Sequence, residues 1–113
     1  MDYTLSYFNV AVQADFDSWP LGLRARYRAL TVRMEIHGPN LGMPHTRAIG
    51  GGLFEIRAKA EEGIGRAFYC TLVGKRKVIL HGFIKKTDKT PERELEIARN
   101  RMKEVLQHGG YEI

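Results

Sequence analysis

The sequence predicts an α+β domain: a small, mostly antiparallel sheet with helices packed on one face. Three observations carry that expectation. Residues 53–84 hold three apolar, β-favouring runs joined by Glu61-Glu62-Gly63 and Gly74-Lys75-Arg76, connections short enough for antiparallel hairpins. Two other stretches place apolar residues at helical spacing: Leu23, Tyr27, Leu30 and Met34, then Leu95, Ala98, Met102 and Val105. A chain of 113 residues supports one core and not two, so residues 1–113 read as a single domain.

The elements follow in order. Tyr3 to Val10 is rich in aromatic and β-favouring residues and reads as a strand. Asp17 or Ser18 is placed to cap a helix with Pro20 in its first turn. His37-Gly38-Pro39 stops that helix, and Asn40 to Gly52 reads as a loop broken by Gly42, Pro44 and Gly50-Gly51-Gly52. The meander strands run from about Leu53 to Ala60, Ile64 to Val73 and Lys77 to Ile84. Thr90 caps the last helix, Pro91 takes its first position, Glu92 complements the dipole, and Gly109-Gly110 ends it.

Charge narrows the partners. With 18 Lys and Arg against 13 Asp and Glu the chain carries +5, and a pI near 9.6 favours nucleic acid or another polyanion. The lone Cys70 excludes an internal disulfide and suits a reduced, cytoplasmic setting. No apolar run reaches membrane-spanning length. Gly50-Gly51-Gly52 is no phosphate loop, since no GKS or GKT follows. The four histidines lack metal-ligand spacing, so no metal and no cofactor is expected. Glu61-Glu62 reads as a solvated hairpin tip.

The cations have a pattern. In the first meander strand Phe54, Ile56 and Ala58 share one face, and Glu55, Arg57 and Lys59 the other. In an antiparallel meander, Arg57 and Lys59 late in one strand, Arg66 early in the next, and Lys85 and Lys86 late in the third converge on one end of the sheet. Each one singly is ordinary solvated surface, and edge lysines also guard against aggregation. Together they form a patch suited to a phosphate backbone, by arginine fork and lysine point charge.

The chain also resembles a known family. LFEIR in the first meander strand, GRAFYCTLVGKRKVILHGFIKKT across the next hairpin, KTPERELEIARNR at the last helix and GPNLGMPHTRAIGGGLFEIR over residues 38–57 are together similar to the phage-derived branch of the RelE/HigB toxin superfamily. The similarity runs from about Trp19 to Leu106. It implies a RelE-like fold and a toxin of a type II toxin–antitoxin pair, a ribosome-dependent mRNA endoribonuclease that stops translation. A helix-turn-helix antitoxin of the HigA type would be its partner, beside the ribosome and mRNA.

The implied chemistry is attack of a ribose 2′-hydroxyl on the neighbouring phosphate. It needs a base, cations on the phosphate and a proton for the leaving oxygen. On the resemblance, Arg57 and Arg66 stabilise charge, and either Lys85 or Lys86 binds phosphate or transfers a proton. Lys59 and Lys89 are candidate RNA contacts, and Tyr69 a candidate base stacker, although a tyrosine in an apolar strand is commonly core. His81 has two readings of equal standing: acid–base catalyst, or hydrogen-bonded core histidine. Two departures bear on proton transfer. Tyr111, the one C-terminal tyrosine, follows two glycines, and Asp88 stands where relatives commonly carry an amide. Two rival readings of function remain: a toxin of related fold that binds a protein such as DNA gyrase and cuts nothing, and a decayed phage protein that only binds its antitoxin and operator DNA.

Overall fold

The computed structural model describes residues 3–72, 76–85 and 91–107. Strand β1 (Thr4–Tyr7) leads into helices α1 (Val10–Asp17) and α2 (Leu21–His37). Strands β2 (Thr46–Gly50), β3 (Leu53–Ala60), β4 (Gly63–Leu72) and β5 (Arg76–Lys85) follow, and helix α3 (Glu92–Gln107) comes last. The sheet order is β1-β5-β4-β3-β2, antiparallel throughout except for β1, which runs parallel to β5. The α+β class and mostly antiparallel sheet are those expected from the sequence.

The helices divide between two faces, which corrects the expectation of one. On the back face, Val12 and Phe16 of α1 and Leu23, Tyr27, Leu30 and Met34 of α2 pack on Ile56, Ala58, Ala67, Tyr69 and Ile79. On the front, Ala98, Met102 and Val105 of α3 pack on Leu53, Phe68, Cys70, Val78 and Leu80. Burial of both faces explains why β4 reads as a nearly continuous apolar run with no alternation. Burial also pushes the Cys70 thiol up to about 11, so it stays a protonated core residue.

Three local corrections follow from hydrogen bonds that no periodicity reveals. The first strand stops at Tyr7 because Asn9 Oδ1 accepts from Val12 N at 2.9 Å and caps α1. Asp17 and Ser18 therefore close α1 and do not open α2; Ser18 is its C-cap. Pro20 stands at the α2 N-cap without a side-chain cap, and the carboxylate of Glu62 accepts from Gly22 N at 2.9 Å instead. Glu62 thus caps α2 from forty residues away, where an acid also meets the positive end of the helix dipole. Finally, the region read as a loop contains β2, whose hairpin to β3 turns through Gly50, Gly51 and Gly52, all at positive φ.

Two further glycines make room for aromatics. A Cβ at Gly65 would collide with Trp19, and one at Gly82 with Phe16. The rings of Phe16, Trp19 and Tyr27 cluster in the space left over the back of β4 and β5, Phe16 stacked on Tyr27 and Trp19 edge-on to Tyr27. Lys77 is wholly buried on this side, with no hydrogen-bond partner for Nζ among the described residues.

Candidate nucleic-acid interface

Pairing register sorts the front face into rows. Arg47, Glu55, Phe68 and His81 lie side by side across β2, β3, β4 and β5. Arg57, Arg66 and Phe83 form the next row, and Lys59, Ile64 and Lys85 the one beyond. A bulge sets this arrangement: Phe68 pairs with His81 but Tyr69 pairs with Ile79, leaving Leu80 extra. Simple alternation from Ile79 would turn His81 to the back; the extra residue sends both Leu80 and His81 to the front. The predicted convergence of Arg57, Lys59, Arg66 and Lys85 is thus present in the register. Lys86, Lys89, Asp88 and Tyr111 lie outside the described residues.

The cations differ in what they hold. Arg66 is buried, its Nη1 2.7 Å from Glu55 Oε2, with side-chain exposures of 4% and 2%. The contact is a charge contact and not an aligned hydrogen bond, and Arg66 Nε has no partner among the described residues. Glu55 also meets Arg47 Nε at 3.1 Å, where Arg47 is 50% exposed. Arg66 is therefore first a structural counter-ion. Arg57 is part-exposed and Lys59 exposed.

Tyr69 does not belong to this surface. It is wholly buried on the back face, and its hydroxyl donates to the Pro39 carbonyl. Burial pushes that hydroxyl far above the usual tyrosine range, so it keeps its proton. A residue so enclosed cannot stack a base. The front-face aromatic of the cationic rows is Phe83.

His81 is held by α3. Its Nε2 lies 2.6 Å from Glu94 Oε1, and Nδ1 lies 3.5 Å from Arg101 Nη1, which also donates to the Leu80 carbonyl at 2.8 Å. The side chain is hydrogen-bonded and part-exposed, at 13%.

A different histidine faces the cations. At the outer edge of β3, beyond the end of β2, Arg26, Pro44, His45, Arg57 and Lys59 line a cleft of about 450 Å³. The His45 carbonyl accepts from Arg57 N at 2.8 Å, tying the two residues together. Arg26 Nη2 approaches His45 Nδ1 at 3.5 Å. Loss of water around the ring, then the charges of Arg33 and Arg26, lower its pKa below the ordinary histidine value. His45 thus sits among the positive charges of Arg26, Arg33, Arg57 and Lys59. The sequence signalled it weakly: it sits alone in an irregular stretch, 12 residues before Arg57. Among the described residues no group of His, Cys, Asp and Glu is placed to hold a metal, and no helix is long and apolar enough to cross a membrane.

Comparison with known proteins fits this architecture. The family model described as Phage derived protein Gp49-like (DUF891) matches residues 14–103. The chain belongs to this Gp49-like family. Among solved structures it is similar to a mutant of E. coli toxin RelE in the free state, with a TM-score of 0.54 and 13% identity, over 93% of this chain and 99% of that one. At that identity the likeness shows the fold, which is RelE-like. No curated protein matches the sequence.

Proposed function

We propose that this Gp49-like protein is the toxin of a toxin–antitoxin pair and that it cuts mRNA on the ribosome without a metal. The observation that carries the proposal is a histidine set beside Arg26, Arg57 and Lys59 in one cleft. His45 takes the proton of a ribose 2′-hydroxyl, and that oxygen attacks the adjacent phosphorus. Arg57 and Lys59 hold the charge that builds on the phosphoryl oxygens, Arg57 by its fork and Lys59 by its point charge. The bond to the 5′-oxygen breaks, that oxygen takes a proton from water, His45 returns its own proton to solvent, and the products are a 2′,3′-cyclic phosphate and a 5′-hydroxyl. Arg66 acts through position, keeping positive charge beside Arg57 while anchored on Glu55. Lys85 extends the cationic surface along β5, and Lys86 and Lys89 follow it in the sequence. His81 braces the junction with α3 and moves no proton.

Family membership, the RelE-like fold and the basic surface support the reading, and the resemblance supports the ribosome and a HigA-type antitoxin as partners. The rival is a toxin of the same fold that binds a protein such as DNA gyrase. Primer extension on a defined mRNA, with and without ribosomes in a purified translation system, separates them. Wild type should cut only when ribosomes translate, and His45→Gln and the Arg57→Ala, Lys59→Ala double variant should lose the cuts while staying folded. A folded, growth-inhibiting wild type that leaves the message intact would sink the nuclease and bring the protein target forward. Arg66→Ala is a poor probe, since it leaves the buried Glu55 charge without its partner.

A further inference from the structure

We infer that Phe83 is a base-stacking platform, so the ligand of the front face is a single-stranded RNA with at least one base unpaired and laid on β5. The inference rests on the reading of this face as an RNA surface. Register puts Phe83 directly beside Arg66, one position in from the Lys59–Lys85 row and two from Arg57 across the sheet. One aromatic ring thus lies beside the rows that carry Arg57, Lys59 and Lys85, an arrangement like that by which sheet surfaces bind single strands through stacking.

The ring is part-exposed. Beneath its margin lies the wholly buried Phe68, with centroids 5.8 Å apart. Toward α3 it stacks with His81 at 6.1 Å and 22°, and His81 is itself fixed by Glu94. Strand β1 pairs with β5 only as far as Ile79, so from Leu80 to Lys85 no described strand runs along the outer edge. A part-exposed ring on β5, one row from Lys59 and Lys85, is placed to take the flat face of a base while those lysines meet its backbone.

The test uses the full chain and a short RNA whose 2′-hydroxyls are methylated, so that it cannot be cut. Binding is read by fluorescence anisotropy, with an abasic nucleotide placed at each position in turn. A stacked base contributes about 5- to 150-fold in affinity. Phe83→Leu should lose a factor in that range, and Phe83→Tyr should keep most of it. One abasic position should weaken wild type to the same degree and weaken Phe83→Leu no further. Should Phe83→Leu not fold, Phe83→Trp gives a second readout: its fluorescence should be quenched by the intact RNA and not by the RNA abasic at that position, against a buried Trp19. Unchanged affinity in Phe83→Leu, losses that simply add at every abasic position, or equal quenching by both RNAs would overturn the inference and leave the RNA surface standing. No saturable binding by wild type would overturn both.

Discussion

Replacing Glu55 by glutamine tests the ion pair on which the cationic rows are built. Both partners are almost fully desolvated, with exposures of 4% for Arg66 and 2% for Glu55 at 2.7 Å. The amide keeps the size of the side chain but removes its charge, leaving a buried guanidinium with no counter-ion. Breaking a buried pair in this way costs about 3–5 kcal/mol. The bond to Arg47 is different: Arg47 is half exposed, and water screens it. Arg47→Ala should therefore cost about 0–1 kcal/mol. A domain of this size has about 5–15 kcal/mol of total stability, so Glu55→Gln removes a large share of it. At roughly 4 °C per kcal/mol its Tm should fall by about 12 °C or more, and its urea midpoint should fall without a change in slope. The Glu55→Leu, Arg66→Met double variant should recover most of the loss, because it buries no charge. A Glu55→Gln protein no less stable than Arg47→Ala would refute the reasoning, since Arg66 would then have to be solvated or paired elsewhere.

Other consequences can be measured in parallel. His45 has a pKa lowered by desolvation and by Arg33 and Arg26, so the cleavage rate should rise with pH through a value below about 6.5 and then level off; His45→Gln should abolish that acid limb, and a limb unchanged in the variant would remove His45 as base. Gly82→Ala drives a methyl into Phe16 and should cost about 1–3 kcal/mol in denaturant unfolding, whereas an unchanged midpoint would mean that the aromatic cluster shifts freely. Burial lowers the pKa of Lys77, with Glu35 opposing. A lysine with its folded pKa below the unfolded value near 10.5 makes the fold less stable as pH falls from there toward the folded pKa. Lys77→Met should then raise stability at pH 7 by about 1–3 kcal/mol and flatten that dependence; equal stability at pH 7 would mean that the ammonium is solvated after all.

Much of the architecture is written in short-range pattern. The apolar spacing of α2 and α3, the turn chemistry around β3, β4 and β5, and the alternation of Arg57 and Lys59 against Ile56 and Ala58 follow from the periods of helix and strand. They suffice to place Arg57, Lys59, Arg66 and Lys85 on neighbouring rows, because antiparallel register ties sequence position to place along the sheet. What the sequence does not contain is which groups meet across long separations. One extra residue at Leu80 turns His81 to the front and into contact with Glu94. Glu55 reaches across to Arg66 and converts a predicted phosphate ligand into a buried counter-ion. The back face, covered by α1 and α2, encloses Tyr69 and leaves Phe83 as the aromatic of the cationic rows. His45, isolated in the chain, becomes the histidine of the cleft only because the segment before β2 docks on the edge of β3, opposite Arg26 of α2. Composition and periodicity report the free energy of burying one face of an element. The positions and protonation of single polar groups depend on distances of a few ångströms between elements far apart in sequence, and only the packed chain sets those.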